Sequence, residues 1–196
     1  YFKLIEILYE FNIKKSKLIS CLCEGPGGFI ECLLDYSENC IQINTITLVS
    51  NDNLIPDWNI KIKKNEKINI IYGNDNTGDI CKLENAINFI EMSNKSELVT
   101  SDGGFDISKN YNKQENDTYY LLYSEIYITL NIQSNHGDSI IKFFDLFEKK
   151  TILLLYILYL HYENIYIYKP KMSRMSNSEK YIVCKNFLGK NNRIID

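Results

Sequence analysis

The residues Glu24-Gly25-Pro26-Gly27-Gly28-Phe29 join an apolar run ending at Cys23 to a segment of helical character. Glycines in such a turn remove side chains, so a ligand can approach the backbone, and the following helix offers amides without intrahelical partners. The spacing lacks the third glycine of the dinucleotide fingerprint G-x-G-x-x-G. An acid just ahead of the turn disfavours a pyrophosphate and favours a ligand with an ammonium group. S-adenosylmethionine has that group, plus a sulfonium. A simple tight turn between strand and helix is the competing reading, because glycine turns are common punctuation. Two loop segments extend the same chemistry. Asn51 and Asp52 follow the second apolar run, where an acid in a doubly wound sheet commonly binds ribose hydroxyls; a solvated loop carboxylate fits equally. In Thr77-Gly78-Asp79-Ile80, Asp79 could accept a hydrogen bond from an adenine amine with Ile80 against the ring. The alternative is an Asp that caps the helix after Cys81.

The amines form a second set. Lys142 is flanked by Ile140, Ile141, Phe143 and Phe144. An ammonium in the middle of an apolar strand is strongly unfavourable without a partner. Either it snorkels to a strand edge, or it is a cleft lysine paired with a carboxylate. Lys3 lies in an apolar helical turn beside Glu6, so a surface salt bridge between the two competes with a functional role. Glu179, ahead of Lys180 and Tyr181, is by itself an unexceptional surface acid.

Apolar periodicity supplies the elements that must position these groups. Helices are expected over residues 2–9, 29–34, 82–92, 117–132 and 149–161. Strands are expected over residues 17–23, 43–49, 67–71, 98–101, 139–144, 164–168 and 180–184. Residues 50–65, 73–79 and 109–116 read as loops. Strands alternating with helices imply an α/β protein with a mostly parallel sheet covered by helices on both faces. Ligands of such sheets bind at the carboxyl ends of the strands. Glu24, Asp102 and Lys142 stand at or near three such ends and are expected to converge on one crevice.

Composition limits the alternatives. A chain of 196 residues with 45 % hydrophobic and 24 % charged residues suits one globular domain and excludes bulk disorder. A net charge of −3 excludes a generally basic coat for nucleic acid, so any such partner needs a local patch. The six cysteines and two histidines show neither C-x-x-C nor zinc spacing, and no metal site is expected. Most of the cysteines lie in apolar runs as plain core thiols of a reducing intracellular compartment. No signal peptide is visible. The most apolar stretch, residues 152–160, is shorter than the ~20 residues that cross a bilayer, so no membrane partner is expected. The chain opens on Tyr1 without a Met, which reads as part of a longer protein.

Together these segments resemble the FtsJ-like ribose 2′-O-methyltransferases, especially their mRNA cap branch. The resemblance covers residues 2–187. Phe2-Lys3-Leu4-Ile5-Glu6-Ile7 is similar to the helix that carries the family's first lysine, and Gly25 through Phe29 match its Gly-Pro-Gly-Gly-Phe turn. Ser101-Asp102-Gly103-Gly104-Phe105 matches the segment of its aspartate. Lys142, followed by Phe144-Asp145-Leu146-Phe147, matches the second lysine. Ser173-Arg174-Met175-Ser176-Asn177-Ser178-Glu179-Lys180-Tyr181-Ile182-Val183-Cys184 matches the long stretch around its glutamate. Asn112-Lys113-Gln114-Glu115 looks like the version found in large DNA viruses. The acid signature after the second strand is only loosely met by Val49-Ser50-Asn51-Asp52.

The resemblance implies a Rossmann-like methyltransferase fold with a seven-stranded sheet in a single domain. It also implies a tetrad of Lys3, Asp102, Lys142 and Glu179, and S-adenosylmethionine held by Glu24, Gly25, Pro26, Gly27, Gly28, Phe29, Asn51, Asp52, Asp79, Ile80 and Asp102. The implied reaction is methyl transfer to a ribose 2′-hydroxyl at the 5′ cap-proximal nucleotide of mRNA. Lys142 would act as base, or as an ammonium that stabilises the developing alkoxide. Lys169, Lys171, Arg174 and Asn177 are the expected RNA contacts, and Tyr111, Tyr119 and Tyr120 are candidates for stacking. The lysines at 14, 15 and 17 and at 61, 63, 64 and 67 read more simply as solvated faces. Other capping enzymes are expected partners, in a nucleus, a viral factory or a virion. Transfer to ribosomal or transfer RNA, and an inactive RNA-binding module of the same fold, are the competing readings.

Overall fold

The computed structural model describes residues 1–49, 57–93, 95–104 and 114–189. Its centre is a seven-stranded sheet in the order β3-β2-β1-β4-β5-β7-β6. The strands are β1 (Leu18–Leu22), β2 (Gln42–Ile46), β3 (Ile68–Ile70), β4 (Ser96–Ser101), β5 (Gln133–Phe143), β6 (Tyr162–Tyr168) and β7 (Lys180–Phe187). β1 to β5 pair in parallel, and β7 runs antiparallel to both β5 and β6. The expected mostly parallel, doubly covered sheet is what the chain builds, with the Rossmann-like methyltransferase topology.

Alternation along each strand sends side chains to two cores. Ile19, Cys21, Ile140, Tyr181 and Val183 join one cluster with α1 (Phe2–Glu10) and α2 (Gly28–Tyr36). Leu22 and Val99 turn the other way, onto α4 (Leu83–Met92) and α6 (Tyr119–Ile132). Ile141, Phe143, Ile182 and Cys184 continue that second layer against α6 and α7 (Lys149–His161). The six cysteines are free thiols, four of them buried. No helix among the described residues is long and apolar enough to cross a membrane.

The boundaries differ from the sequence expectation where tertiary contacts intervene. β2 stops at Ile46 rather than residue 49, because Val49 leaves the ladder and donates its amide to the Thr77 carbonyl at 2.7 Å. Within the expected loop at 50–65 there is a helical turn, α3 (Ile60–Lys63). The Asn59 side chain caps it and Ile62, 2 % exposed, anchors it in the core. Within the expected loop at 109–116 the last residues open a short helix, α5 (Gln114–Asp117). β5 begins at Gln133, not residue 139. The polar run Gln133-Ser134-Asn135-His136-Gly137 reads as a turn, yet it extends the ladder through an irregularity opposite Ser96 and Leu98. There the Gln133 amide donates to the Ser96 carbonyl at 2.9 Å.

Candidate functional site

The glycine turn stands where β1 leaves the sheet. Gly25-Pro26 is a cis peptide, and Gly27 has a φ of 114°, a conformation that side chains rarely adopt. A Cβ at Gly27 would lie 2.7 Å from Ile62 Cγ1, so α3 closes over the turn. Gly25, Pro26, Gly28, Phe29, Glu24 and Asp102 line one open cleft of about 370 Å³ with Lys3. The expected convergence of strand ends is therefore present for Glu24 and Asp102, and Lys142 joins them through Asp102.

Glu24 is 4 % exposed, and neither of its carboxylate oxygens has a hydrogen-bond partner among the described residues. The neighbouring Thr100 hydroxyl is turned to the Cys21 sulfur at 3.4 Å. Burial pushes the Glu24 carboxyl up to about 8, helped by the charges of Asp102 and Glu125 and opposed by the nearby Thr100 and Cys21 side chains. An unmet buried carboxylate beside a side-chain-free turn fits a ligand bearing a cation. The residues present thus suit the ammonium end of S-adenosylmethionine.

Asp102 follows β4 directly. Its Oδ1 accepts the Tyr181 hydroxyl at 2.7 Å and lies 3.4 Å from Lys142 Nζ. Lys142 Nζ also donates to the Asp102 carbonyl oxygen at 2.7 Å and stands 5.6 Å from the Phe144 ring centre. The lysine is therefore no strand-edge snorkeller; its side chain is 11 % exposed and paired. A Cβ at Gly104 would lie 3.2 Å from Nζ, so that glycine leaves room beside the amine.

Glu179 precedes β7. Because β7 is antiparallel to β5, with Lys142 opposite Tyr181, the start of β7 lies at the same end of the sheet as the carboxyl ends of its parallel neighbours. Glu179 Oε1 contacts Lys3 Nζ at 2.7 Å and accepts the Ser173 hydroxyl at 2.8 Å. Burial works to raise the Glu179 carboxyl, but Lys3, Ser173 and the charge of Lys142 outweigh it and hold the group below the usual carboxylate range. The Tyr181 phenol is pushed far upward by burial and by the charges of Asp102, Glu179 and Glu24. One hydroxyl thus senses three acids from three segments of the chain.

The competing bridge from Lys3 to Glu6 does not form. Glu6 instead accepts the Tyr168 hydroxyl at 2.7 Å and the Lys171 amide at 2.9 Å, which ties α1 to the loop that carries Ser173 and Glu179. Nothing in local spacing marks this, because the partners lie at opposite ends of the chain.

The remaining expected residues divide. Asp79 Oδ1 accepts the Cys81 amide at 3.0 Å within the turn before α4, whose N-terminus at Lys82 has no side-chain cap, and Ile80 is 1 % exposed in the second core. Phe29 packs in the first core, its ring 6.0 Å from that of Tyr181. Lys169 Nζ spends its donors on the carbonyls of Asn177 and Glu179 and on the Asn177 side chain. Lys169 and Asn177 therefore shape the loop, while Lys171 and Arg174 remain exposed. Tyr119 lies under the Lys150 ammonium at 4.6 Å, and Tyr120 is 73 % exposed. Lys14, Lys15 and Lys17 precede β1 and so occupy the opposite end of the sheet. Asn51, Asp52 and Tyr111 lie outside the described residues. No group of His, Cys, Asp and Glu that would hold a metal ion occurs among the described residues. Sequence reasoning missed Tyr181, Ser173 and Glu125. Glu125 was legible by the signal that exposed Lys142, a lone charge among apolar neighbours.

Known proteins resemble this chain over most of its length. The FtsJ-like methyltransferase family profile matches residues 1–187. The chain is 33 % identical over 96 % of its length to a cap-specific mRNA (nucleoside-2′-O-)-methyltransferase 2 from Pongo abelii, of which it spans 27 %. It is 30 % identical over 95 % of its length to a cap-specific mRNA (nucleoside-2′-O-)-methyltransferase from Autographa californica nuclear polyhedrosis virus, of which it spans 71 %. Among solved structures, a Plasmodium falciparum protein described as a ribosomal RNA methyltransferase superposes with a TM-score of 0.68 at 25 % identity, covering 96 % of this chain and 97 % of that one.

Proposed function

The chain belongs to the FtsJ-like methyltransferase family, and from that premise we propose that it methylates an RNA ribose 2′-hydroxyl at the cap-proximal nucleotide of mRNA. The observation that carries this reading is a pair of amine–acid contacts, each of which places one member, Lys3 or Asp102, in the lining of the same cleft. Lys142 pairs with Asp102, and Lys3 pairs with Glu179. S-adenosylmethionine, when bound, supplies a methyl group on a positively charged sulfur that leaves as a neutral thioether. Glu24 and the backbone from Gly25 to Gly28 would hold its amino-acid end.

A free 2′-hydroxyl is a poor nucleophile near neutral pH, so alignment and proton removal must come from the protein. Lys142 sits against Asp102, which in turn lines the cleft. We assign Lys142 to the hydroxyl. Bound S-adenosylmethionine would give up its methyl group to the ribose oxygen and keep the electron pair on sulfur, and the Lys142 amine would take the hydroxyl proton. Asp102, fixed by the Tyr181 hydroxyl, holds that amine in place. Lys3 presents a second positive charge at the developing alkoxide, and Glu179 holds Lys3. Lys171 and Arg174 are the exposed cations nearest to Glu179 in sequence and suit the RNA phosphates.

Transfer to ribosomal RNA is the second reading, favoured by the likeness to the Plasmodium protein. One experiment separates the two. Labelled S-adenosylmethionine is incubated with capped and uncapped RNAs, including ribosomal fragments, and the methylated sugar is mapped. Label on the first transcribed ribose of capped RNA alone is expected. Label on ribosomal fragments supports the second reading, and label confined to a base overturns both.

A further inference from the structure

Glu125, on α6, is 1 % exposed and lines a small cavity with Gly103 and Lys142, and its Oε1 accepts the Gly103 amide at 3.1 Å. That amide belongs to the same peptide unit as the Asp102 carbonyl, whose oxygen accepts Lys142 Nζ at 2.7 Å. A trans peptide is planar, with its N–H and C=O pointing in opposite directions. Holding the N–H therefore aims the C=O. The residue after Asp102 is Gly103, followed by Gly104. Such a pair rotates more freely than other residues and keeps no fixed peptide orientation unaided. The fit around the grip is close: a Cβ at Gly103 would fall 2.2 Å from Glu125 Oε1 and 3.0 Å from Leu121 Cδ2. A glycine at 103 is thus what lets the glutamate reach the backbone.

We propose that Glu125 is a positioning residue for methyl transfer: by gripping the Gly103 amide it fixes the Asp102–Gly103 peptide, whose carbonyl oxygen holds the Lys142 amine in the cleft. This rests on the reading of Lys142 given above. The charged and titratable groups that act on or around Glu125 are Lys142 and Asp102 at the strand ends, Glu24 and Cys23 beside the glycine turn, and Cys81 before α4. Burial raises the Glu125 carboxyl to about 7, against the Ser101 hydroxyl, Lys142 and the Gly103 amide, which favour its charged form. The grip does not need the charge, because a carbonyl oxygen accepts the same N–H. Glu125→Gln therefore keeps it, while Glu125→Met, of similar length, removes it.

The test compares wild type, Glu125→Gln and Glu125→Met in three readouts: single-turnover methyl transfer to capped RNA, S-adenosylmethionine affinity by calorimetry, and hydrogen exchange at the Gly103 amide. Misplacing a reacting group by about 1 Å costs on the order of 10²-fold. Glu125→Met is expected to lose roughly that factor in rate with cofactor affinity unchanged and the amide deprotected. Glu125→Gln is expected to stay near wild type in all three. Equal slowing of both variants, or rate and affinity falling together in Glu125→Met, overturns the proposal. If Glu125→Met does not fold, Glu125→Ala replaces it, and a Gly103 amide that exchanges in wild type as fast as a solvated one overturns the grip without any variant. Wild-type protein that methylates no RNA defeats the functional reading; protection of Gly103 unchanged in Glu125→Met defeats this one.

Discussion

Glu24 and Glu179 are both buried glutamates at the same end of the sheet, 4 % and 6 % exposed, and their surroundings are opposite. Glu179 has its cation, Lys3, and a hydroxyl from Ser173, and its carboxyl is held low. Glu24 has no hydrogen-bond partner among the described residues, and burial pushes its carboxyl up to about 8. Burying a carboxylate without a partner is unfavourable, so the difference separates two kinds of site. Around Glu179 and Asp102 the ionic contacts are complete within the chain, and the amines are already in position. Around Glu24 the contacts are incomplete, and a ligand must supply the missing charge. In the proposed reading the first region faces the methyl acceptor and the second the methyl donor.

The sharpest way to break that contrast is on the acceptor side. Lys142→Ala should reduce single-turnover transfer by about 10²–10⁴-fold, the range of a positioned acid–base group. Calorimetry should show S-adenosylmethionine binding unchanged, because the proposed cofactor contacts lie with Glu24. Loss of binding as well would make Lys142 structural.

On the donor side the effect moves to affinity. A hydrogen bond to a charged group is worth about 1.5–3 kcal/mol, so Glu24→Gln should weaken cofactor binding by roughly 10–10²-fold with a smaller change in the bound-state rate. Since Glu24 holds its proton up to about pH 8, an incoming ammonium should expel it. Titrations at pH 7 in buffers of different ionisation enthalpy should show proton release in wild type and none in Glu24→Gln. Equal release in both would remove Glu24 from the ligand site.

Much of this was legible in the sequence, and the failures have physical causes. The glycine turn, Asp102 and Lys142 were readable because strand–turn–helix patterning puts strand ends on one crevice and because a lone amine in an apolar strand demands a partner. Lys3 was singled out by the resemblance alone; local spacing left a bridge to Glu6 open, since it sees the nearby acid and not Glu179 at the far end of the chain. The extension of β5 to Gln133 was invisible because its polar residues satisfy themselves against β4, and polarity alone reads as a turn. Glu125 carries the same signal as Lys142, the single charge of α6, but went unread because an acid on a helix is ordinarily a solvated face.

The Lys3–Glu179 pair offers a stability test. With its folded-state carboxyl depressed, Glu179 contributes stability that is present above its unfolded value and lost as pH falls through the folded one. Wild-type melting temperature should therefore drop more steeply than that of Glu179→Gln as pH falls below about 4.5. At neutral pH the variant should lose about 1 kcal/mol, a modest figure because the Lys3 side chain is 33 % exposed. Parallel pH curves would show that the pair is not formed. The smallest expected effect is at Glu6, whose carboxylate ties α1 to the loop of Lys171. Glu6→Gln should cost about 0.5–1 kcal/mol and slow transfer only a few-fold, read by urea melts and the single-turnover assay.

The pH dependence of single-turnover methyl transfer to capped RNA, in wild type and Lys142→Arg, tests most directly whether Lys142 takes the proton of the ribose hydroxyl. The wild-type rate should rise with pH and level off. The rising limb should be absent from Lys142→Arg, whose guanidinium keeps its proton throughout. A rising limb of the same midpoint and height in both proteins would contradict the assignment.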